Sequence, residues 1–220
     1  MDLLKFRKIY YIFSGALTAA SIIALFVWGL PVGIDFTGGS LLEIEFKNET
    51  LSKDEISDAL KGAGIADAVI QATGEKGYIL RFAPVSEEVH QKILAKLGEQ
   101  KTLDQKRFDS IGPIIGKELQ EKSLRAAWVL LGGILFYVAW AFRKTRGFVS
   151  GWRYGFITLL TLFHDVLVAV GAFAALGFFF HYEANVPFVA ALLLVLGYSV
   201  TDTVVVFDRI RENIIKRKEG

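Results

Sequence analysis

Cysteine is absent from this chain, methionine occurs once and proline four times in 220 residues. Without thiols there is no disulfide and no thiolate metal centre, and the absence selects no redox compartment. Neither sign of charge is in excess. Lys and Arg number 25 against 23 Asp and Glu, a formal net charge of +2, so nothing points to a nucleic-acid partner and the bases count by position. What is abundant is apolar: 53% of residues are hydrophobic, Phe occurs 18 times and mean hydropathy is +0.42. A soluble domain runs at about 45 to 50% apolar, so lipid is the first solvent to consider.

Four stretches, 11–30, 124–142, 154–178 and 186–207, are apolar over enough length to cross a hydrocarbon core, which takes about 20 residues at 1.5 Å rise each. The first follows Lys5, Arg7 and Lys8, as a signal peptide would, but its apolar run exceeds the about 7 to 15 residues of a signal core. Trp28-Gly29-Leu30-Pro31 also lacks a small-residue cleavage site, so it reads as a retained anchor. Basic residues cluster before span one, between spans two and three (Arg143, Lys144, Arg146, Arg153) and after span four (Arg209, Arg211, Lys216, Arg217, Lys218). Positive flanks stay on the cytoplasmic side, which predicts both termini inside and 31–122 outside. Trp28, Trp128, Trp140 and Trp152 fall near span ends, where amphipathic rings prefer the interface.

Residues 31–122 are polar and periodic, enough for one small soluble core. Leu42, Ile44 and Phe46 alternate with Glu43, Glu45 and Lys47 as a half-buried strand. Ser52 with Glu55 predicts a capping box opening a helix that stops at Gly62 and Gly64, and Ser86 is placed to cap a second helix. Short strands over 68–73 and 78–83 flank a Gly-bounded turn, and 103–111 supplies the last. That order is the split βαβ arrangement of ferredoxin-like domains, which by itself assigns no function. His90, beside Glu87 and Lys92 with no matched ligand set, reads as a solvated surface histidine. The domain reads as a binding or lever element rather than an enzyme. Gly38-Gly39 and Gly112-Pro113 with Gly116 read as hinges at its two junctions. The expected architecture is thus a membrane α-helical bundle of about four transmembrane helices with a small α+β ferredoxin-like extracytoplasmic domain. It divides as 1–30, 31–122, 123–208 and a basic tail 209–220.

His164 and Asp165 lie inside span three and Asp202 inside span four. A central Asp costs about 2.5 to 3.5 kcal/mol on insertion scales, so such residues face a bundle interior or a wet pathway. Thr158, Thr161 and Asp165 share one helix face, Tyr198 and Ser199 stand one turn from Asp202, and Arg209 follows seven residues on at the helix mouth. These are candidate proton-pathway groups. The bland alternative has Asp202 hydrogen-bonding a neighbouring helix through Ser199 or Thr201, with Gly197 permitting close approach. His next to Asp also suits a metal phosphohydrolase, but three His in the whole chain, two groups of the pair within lipid, argue against it.

Two long strings make the chain recognisable. Gly33-Ile34-Asp35-Phe36-Thr37-Gly38-Gly39-Ser40 follows span one, and Gly197-Tyr198-Ser199-Val200-Thr201-Asp202-Thr203-Val204-Val205-Val206-Phe207-Asp208-Arg209-Ile210-Arg211-Glu212-Asn213 ends span four. With His164-Asp165 between them, they resemble the SecF branch of the SecD/SecF protein-export family, within the resistance-nodulation-division superfamily. The resemblance implies no cofactor and the proton gradient as energy source. Its implied partners are SecD, the SecYEG channel and a translocating preprotein, in the bacterial cytoplasmic membrane, and it matches Asp202 to the family's intramembrane carboxylate. Two departures stand out: Val200-Thr201 stands where the family usually has Ile-Asn, and the resemblance implies two further membrane helices that these 220 residues do not include. Competing readings are a noncatalytic assembly scaffold and a truncated transporter of the same superfamily.

Overall fold

The computed structural model describes residues 6–47, 49–99, 101–143 and 150–219. Lys5, Lys144 and Arg146 lie outside them, as do the side chains of Arg217 and Lys218. The described chain divides into two compact units, one of residues 32–122 and one of residues 1–31 with 123–220.

The first unit runs α2 (Ile34–Thr37), β1 (Gly39–Phe46), α3 (Lys53–Gly62), β2 (Ala68–Thr73), β3 (Gly77–Phe82), α4 (Glu87–Gly98) and β4 (Leu103–Ile111), after α1 of the other unit. The strands form one sheet in the order β2-β3-β1-β4 with every neighbouring pair antiparallel. The alternation read from the sequence is physical: Leu42, Ile44 and Phe46 are buried with Leu80 and Phe82, and Ile56, Leu60, Ile93 and Leu97 of α3 and α4 close over them. Each such side chain contributes about 1.5 to 3 kcal/mol by leaving water. The capping box forms, the Ser52 hydroxyl accepting from the Glu55 amide while the Glu55 carboxylate accepts from the Ser52 amide at 2.7 Å. Ser86 stands at the start of α4 in extended backbone, but its hydroxyl makes no cap hydrogen bond.

His90 corrects the sequence reading. It is 3% exposed, its ring lies parallel to Phe108 with centroids 3.7 Å apart, and Nδ1 meets the Glu87 carboxylate at 3.1 Å. A histidine among charged neighbours on a helix looks solvated, yet the stack with β4 brings it inside. The glycine pair also behaves differently from a hinge. Gly38 and Gly39 have φ of 74° and 130°, and a Cβ on Gly38 would stand 2.8 Å from Cα of Pro113. One on Gly116 would stand 2.8 Å from the Gly38 nitrogen. Backbone is packed on backbone, so these glycines fasten the turn before β1 to the start of α5.

The second unit holds α1 (Arg7–Trp28), α5 (Pro113–Ala141, from Ser123 on), α6 (Gly151–Phe180) and α7 (Val186–Glu219). Each has the length and hydropathy to cross a membrane. Two of them outrun their apolar cores, since α5 starts eleven residues before position 124 and α7 continues through the segment read as a tail. Helix α1 lies along α6 in parallel. Ser14 meets His164, Ser21 packs on Gly171, and Trp28 stacks on Phe178 at 5.3 Å. The pairs advance seven residues at a time on both helices, the repeat that keeps one seam facing its partner. Helix α7 runs antiparallel to α6, from Phe173 on Phe188 at 4.1 Å to Tyr154 on Phe207 at 4.7 Å. Val138 of α5 and Phe142, just past its end, complete a buried cluster with Tyr154 and Phe207.

Candidate functional site

The seam of α1, α6 and α7 carries a hydrogen-bonded chain at mid-depth of α6. Ser14 Oγ lies 2.8 Å from His164 Nε2, His164 Nδ1 lies 2.9 Å from Asp165 Oδ1, and Ser199 Oγ donates to Asp165 Oδ2 at 2.6 Å. An ionised Asp165 accepts from both sides, which places the neutral imidazole's proton on Nδ1 and leaves Nε2 to accept from the Ser14 hydroxyl. A second proton on Nε2 reverses that last bond, with the imidazolium donating to Ser14.

Sequence reasoning found His164, Asp165 and Ser199 but missed Ser14. The available signal was its position: a small polar residue in an apolar span, seven residues before Ser21 on the same face. Thr158 and Thr161, expected on the polar face, bond instead to carbonyls one turn back, those of Tyr154 at 2.9 Å and Ile157 at 3.1 Å. Ser14, His164 and Asp165 meet through the same atoms as a hydrolytic triad. All three sit within long helices whose amides bond to carbonyls four residues back, so no pair of free amides is left to stabilise an oxyanion. Among the described residues no group of three or more His, Cys, Asp or Glu could hold a metal ion.

Asp202 stands apart. It is exposed on α7, one turn beyond Ser199, and has no hydrogen bond or ion pair with a described residue. The helix-bonding alternative is not what the geometry gives: Ser199 is engaged by Asp165, and Thr201 donates to the Gly197 carbonyl of its own helix at 2.9 Å. Tyr198, on the same face, is 67% exposed, and no atom lies within 4 Å of where a Gly197 Cβ would stand. The close helix approaches occur on α6, at Gly151, Gly155 and Gly171, while Gly177 packs on Pro31 beyond the end of α1. Arg209 also stays away from Asp202, pairing with Glu212 at 2.9 Å.

Residues 89–220 match the family model described as protein export membrane protein SecD/SecF, C-terminal, and residues 23–50 match that of the SecD/SecF GG motif. The protein translocase subunit SecF of Anaerolinea thermophila is 36% identical over 216 residues, covering 97% of this chain and 69% of its own length. The chain belongs to the SecF family. The SecF of Pseudomonas aeruginosa is 30% identical, with 97% of this chain and 67% of that one covered. Among solved structures, SecDF from Thermus thermophilus, described as a translocon-associated membrane protein, superposes with a TM-score of 0.77 at 28% identity over 97% of this chain. SecDF in a super-membrane-facing form gives 0.60, also at 28% identity. The chain spans 28% and 29% of those two SecDF chains. Family membership and four apolar helices make this a multi-pass membrane protein with a soluble α+β domain.

Proposed function

We propose that this chain is a subunit of the bacterial Sec protein-export machinery in the cytoplasmic membrane, pairing with SecD beside the SecYEG channel and using the proton gradient to assist late steps of preprotein translocation. It works without a cofactor and catalyses no covalent chemistry. Both termini lie in the cytoplasm, and the 32–122 unit, with a ferredoxin-like strand order, acts on the far side as a lever or docking element for the translocating chain. Asp202 exchanges the proton, Arg209 stands at the cytoplasmic mouth, and the His164–Asp165 pair serves as a second proton-holding group.

The observation that carries this reading is the state of Asp202. A carboxylate in an apolar span, on a helix face that the described chain leaves open, is penalised until other helices or water surround it. A charge moving across the membrane potential releases about 2.3 kcal/mol per 100 mV, and harnessing it takes a closed polar route with alternating access. The open face of Tyr198 and Asp202 supplies half of such a route, which favours a SecD-like partner over a self-contained scaffold. The test is mild-detergent extraction after expression alone or with SecD, with native mass measurement and proton flux in liposomes. Co-purification with SecD and flux only in its presence are expected. A stable monomer that moves protons unaided would overturn the reading.

A further inference from the structure

The corner where α5 ends and α6 begins has a composition unlike the rest of the helical surface. Gly151 packs against the carbonyl of Ala139, with a Cβ position 3.3 Å from the Arg143 amide, and Gly155 packs on Leu135, so the two helix ends are pressed together. Beside that contact, Phe136, Trp140 and Arg143 follow one another at i, i+4 and i+7 down a single stripe of α5 and just past its end. Trp152 of α6 leans across to the stripe, its ring edge-on to Phe136 at 5.6 Å. Phe136, Trp140 and Trp152 are 63%, 62% and 49% exposed, forming an aromatic strip that ends at a cation.

That cation is held in a particular way. The Arg143 guanidinium lies over the Trp140 ring, 4.5 Å from its centroid. Stacking occupies one flat face of the guanidinium and leaves its rim of N–H donors directed outward, the edge that grips a phosphate with two parallel hydrogen bonds. Arg209 and Arg211 differ, since carboxylates of Glu212 and Asp208 already face them. Among the described residues Arg143 has no carboxylate partner, and Arg153 in the first turn of α6 adds a second exposed base.

We infer that this corner is a binding site for one anionic phospholipid of the surrounding leaflet, its phosphodiester on Arg143 and an acyl chain along Phe136, Trp140 and Trp152. Charge complementarity selects an anionic headgroup over a zwitterionic one. The exposed aromatic strip below the cation selects a lipid over a soluble phosphate, because a free anion gains nothing from it. The site stands on geometry independent of Asp202 and of the export reading.

The two tryptophans report on it. The full chain carrying Trp28→Phe and Trp128→Phe is placed in phosphatidylcholine vesicles containing equal mole fractions of acyl-brominated phosphatidylglycerol or acyl-brominated phosphatidylcholine. Quenching of the remaining Trp140 and Trp152 is then compared. The brominated phosphatidylglycerol should be enriched at the site roughly fivefold. Arg143→Gln should remove most of that excess, Arg143→Lys should keep only part of it, and Lys216→Gln, a base on α7, should leave it unchanged. Native mass measurement of the wild-type chain should likewise retain phosphatidylglycerol in preference to phosphatidylcholine, which does not depend on any variant folding. Equal quenching by the two lipids would overturn the proposal. So would an excess that survives Arg143→Gln, or one that Lys216→Gln diminishes as much, since both mark diffuse surface charge.

Discussion

Asp165 and Asp202 are two carboxylates in the same helical unit, and the chain treats them oppositely. Asp165 has both oxygens taken, by His164 and Ser199, and through them ties α1, α6 and α7 together. Asp202, one turn past Ser199, is left exposed beside an exposed Tyr198. The hydrophobic effect cannot hold helices together in hydrocarbon, so a satisfied polar group is an anchor there and an unsatisfied one is a demand for a partner. Position in an apolar span marked both residues as unusual. Only the hydrogen-bond inventory separates them.

Removing the anchor should do the most damage. Asp165→Ala strips an acceptor from His164 and from Ser199, and should cost about 1.5 to 3 kcal/mol, the range for hydrogen bonds to a charged group. Reversible unfolding of the full chain in bicelles measures it, and Asp202→Asn in the same assay should be close to neutral. Ser14→Ala should fall between, at about 0.6 kcal/mol and not beyond about 1.7, as interhelical hydrogen bonds in lipid do. If Asp202→Asn destabilises more than Ser14→Ala, Asp202 is structural and the contrast fails.

The soluble unit sharpens the contrast, because water reverses the rules. His90 Nε2 is buried with no hydrogen-bond partner among the described residues. A buried donor or acceptor left unpaired costs about 1 to 3 kcal/mol, so His90→Phe, which keeps the stack on Phe108, should leave the unit as stable or up to about 1 kcal/mol more so. Amide exchange of α4 and β4 in the full chain reads this out. A marked loss of protection would mean the Nδ1 bond to Glu87 matters more than the orphaned nitrogen.

The smallest effect concerns pH. Hydrogen bonds from the Ser52 amide and then its hydroxyl hold the Glu55 carboxyl below its ordinary 4.5. A group depressed in the folded state contributes stability that is present above its unfolded value and is lost as pH falls through the folded one. Protection of α3 amides, corrected for intrinsic exchange, should therefore decline as pH falls below about 4.5. Glu55→Gln should flatten the decline, and an unchanged slope in that variant would remove Glu55 as its cause.

Much of this was legible in the residues. The alternation of Leu42, Ile44 and Phe46 gave a strand because period two has one meaning in a half-buried sheet, and Ser52 with Glu55 gave a cap because its contacts are local. The misses share a cause in contacts distant along the chain. His90 is buried by Phe108, Ser14 gains its role from His164, and Gly38 is pressed by Pro113 and Gly116. The length of α5 was missed differently: Lys117, Glu118, Glu121 and Lys122 form a polar helical start that no apolar period announces.

The open carboxylate is the centre of the account, and export in cells that depend on this protein tests it. Asp202→Asn keeps the shape of the side chain and removes the ionisable group, so the variant should accumulate in the membrane at the wild-type level. Its precursor export should fall to the level of wild-type cells treated with an uncoupler and should respond no further to that uncoupler. Asp202→Asn cells that export as wild type does, and lose that export when the proton gradient is collapsed, would contradict the account.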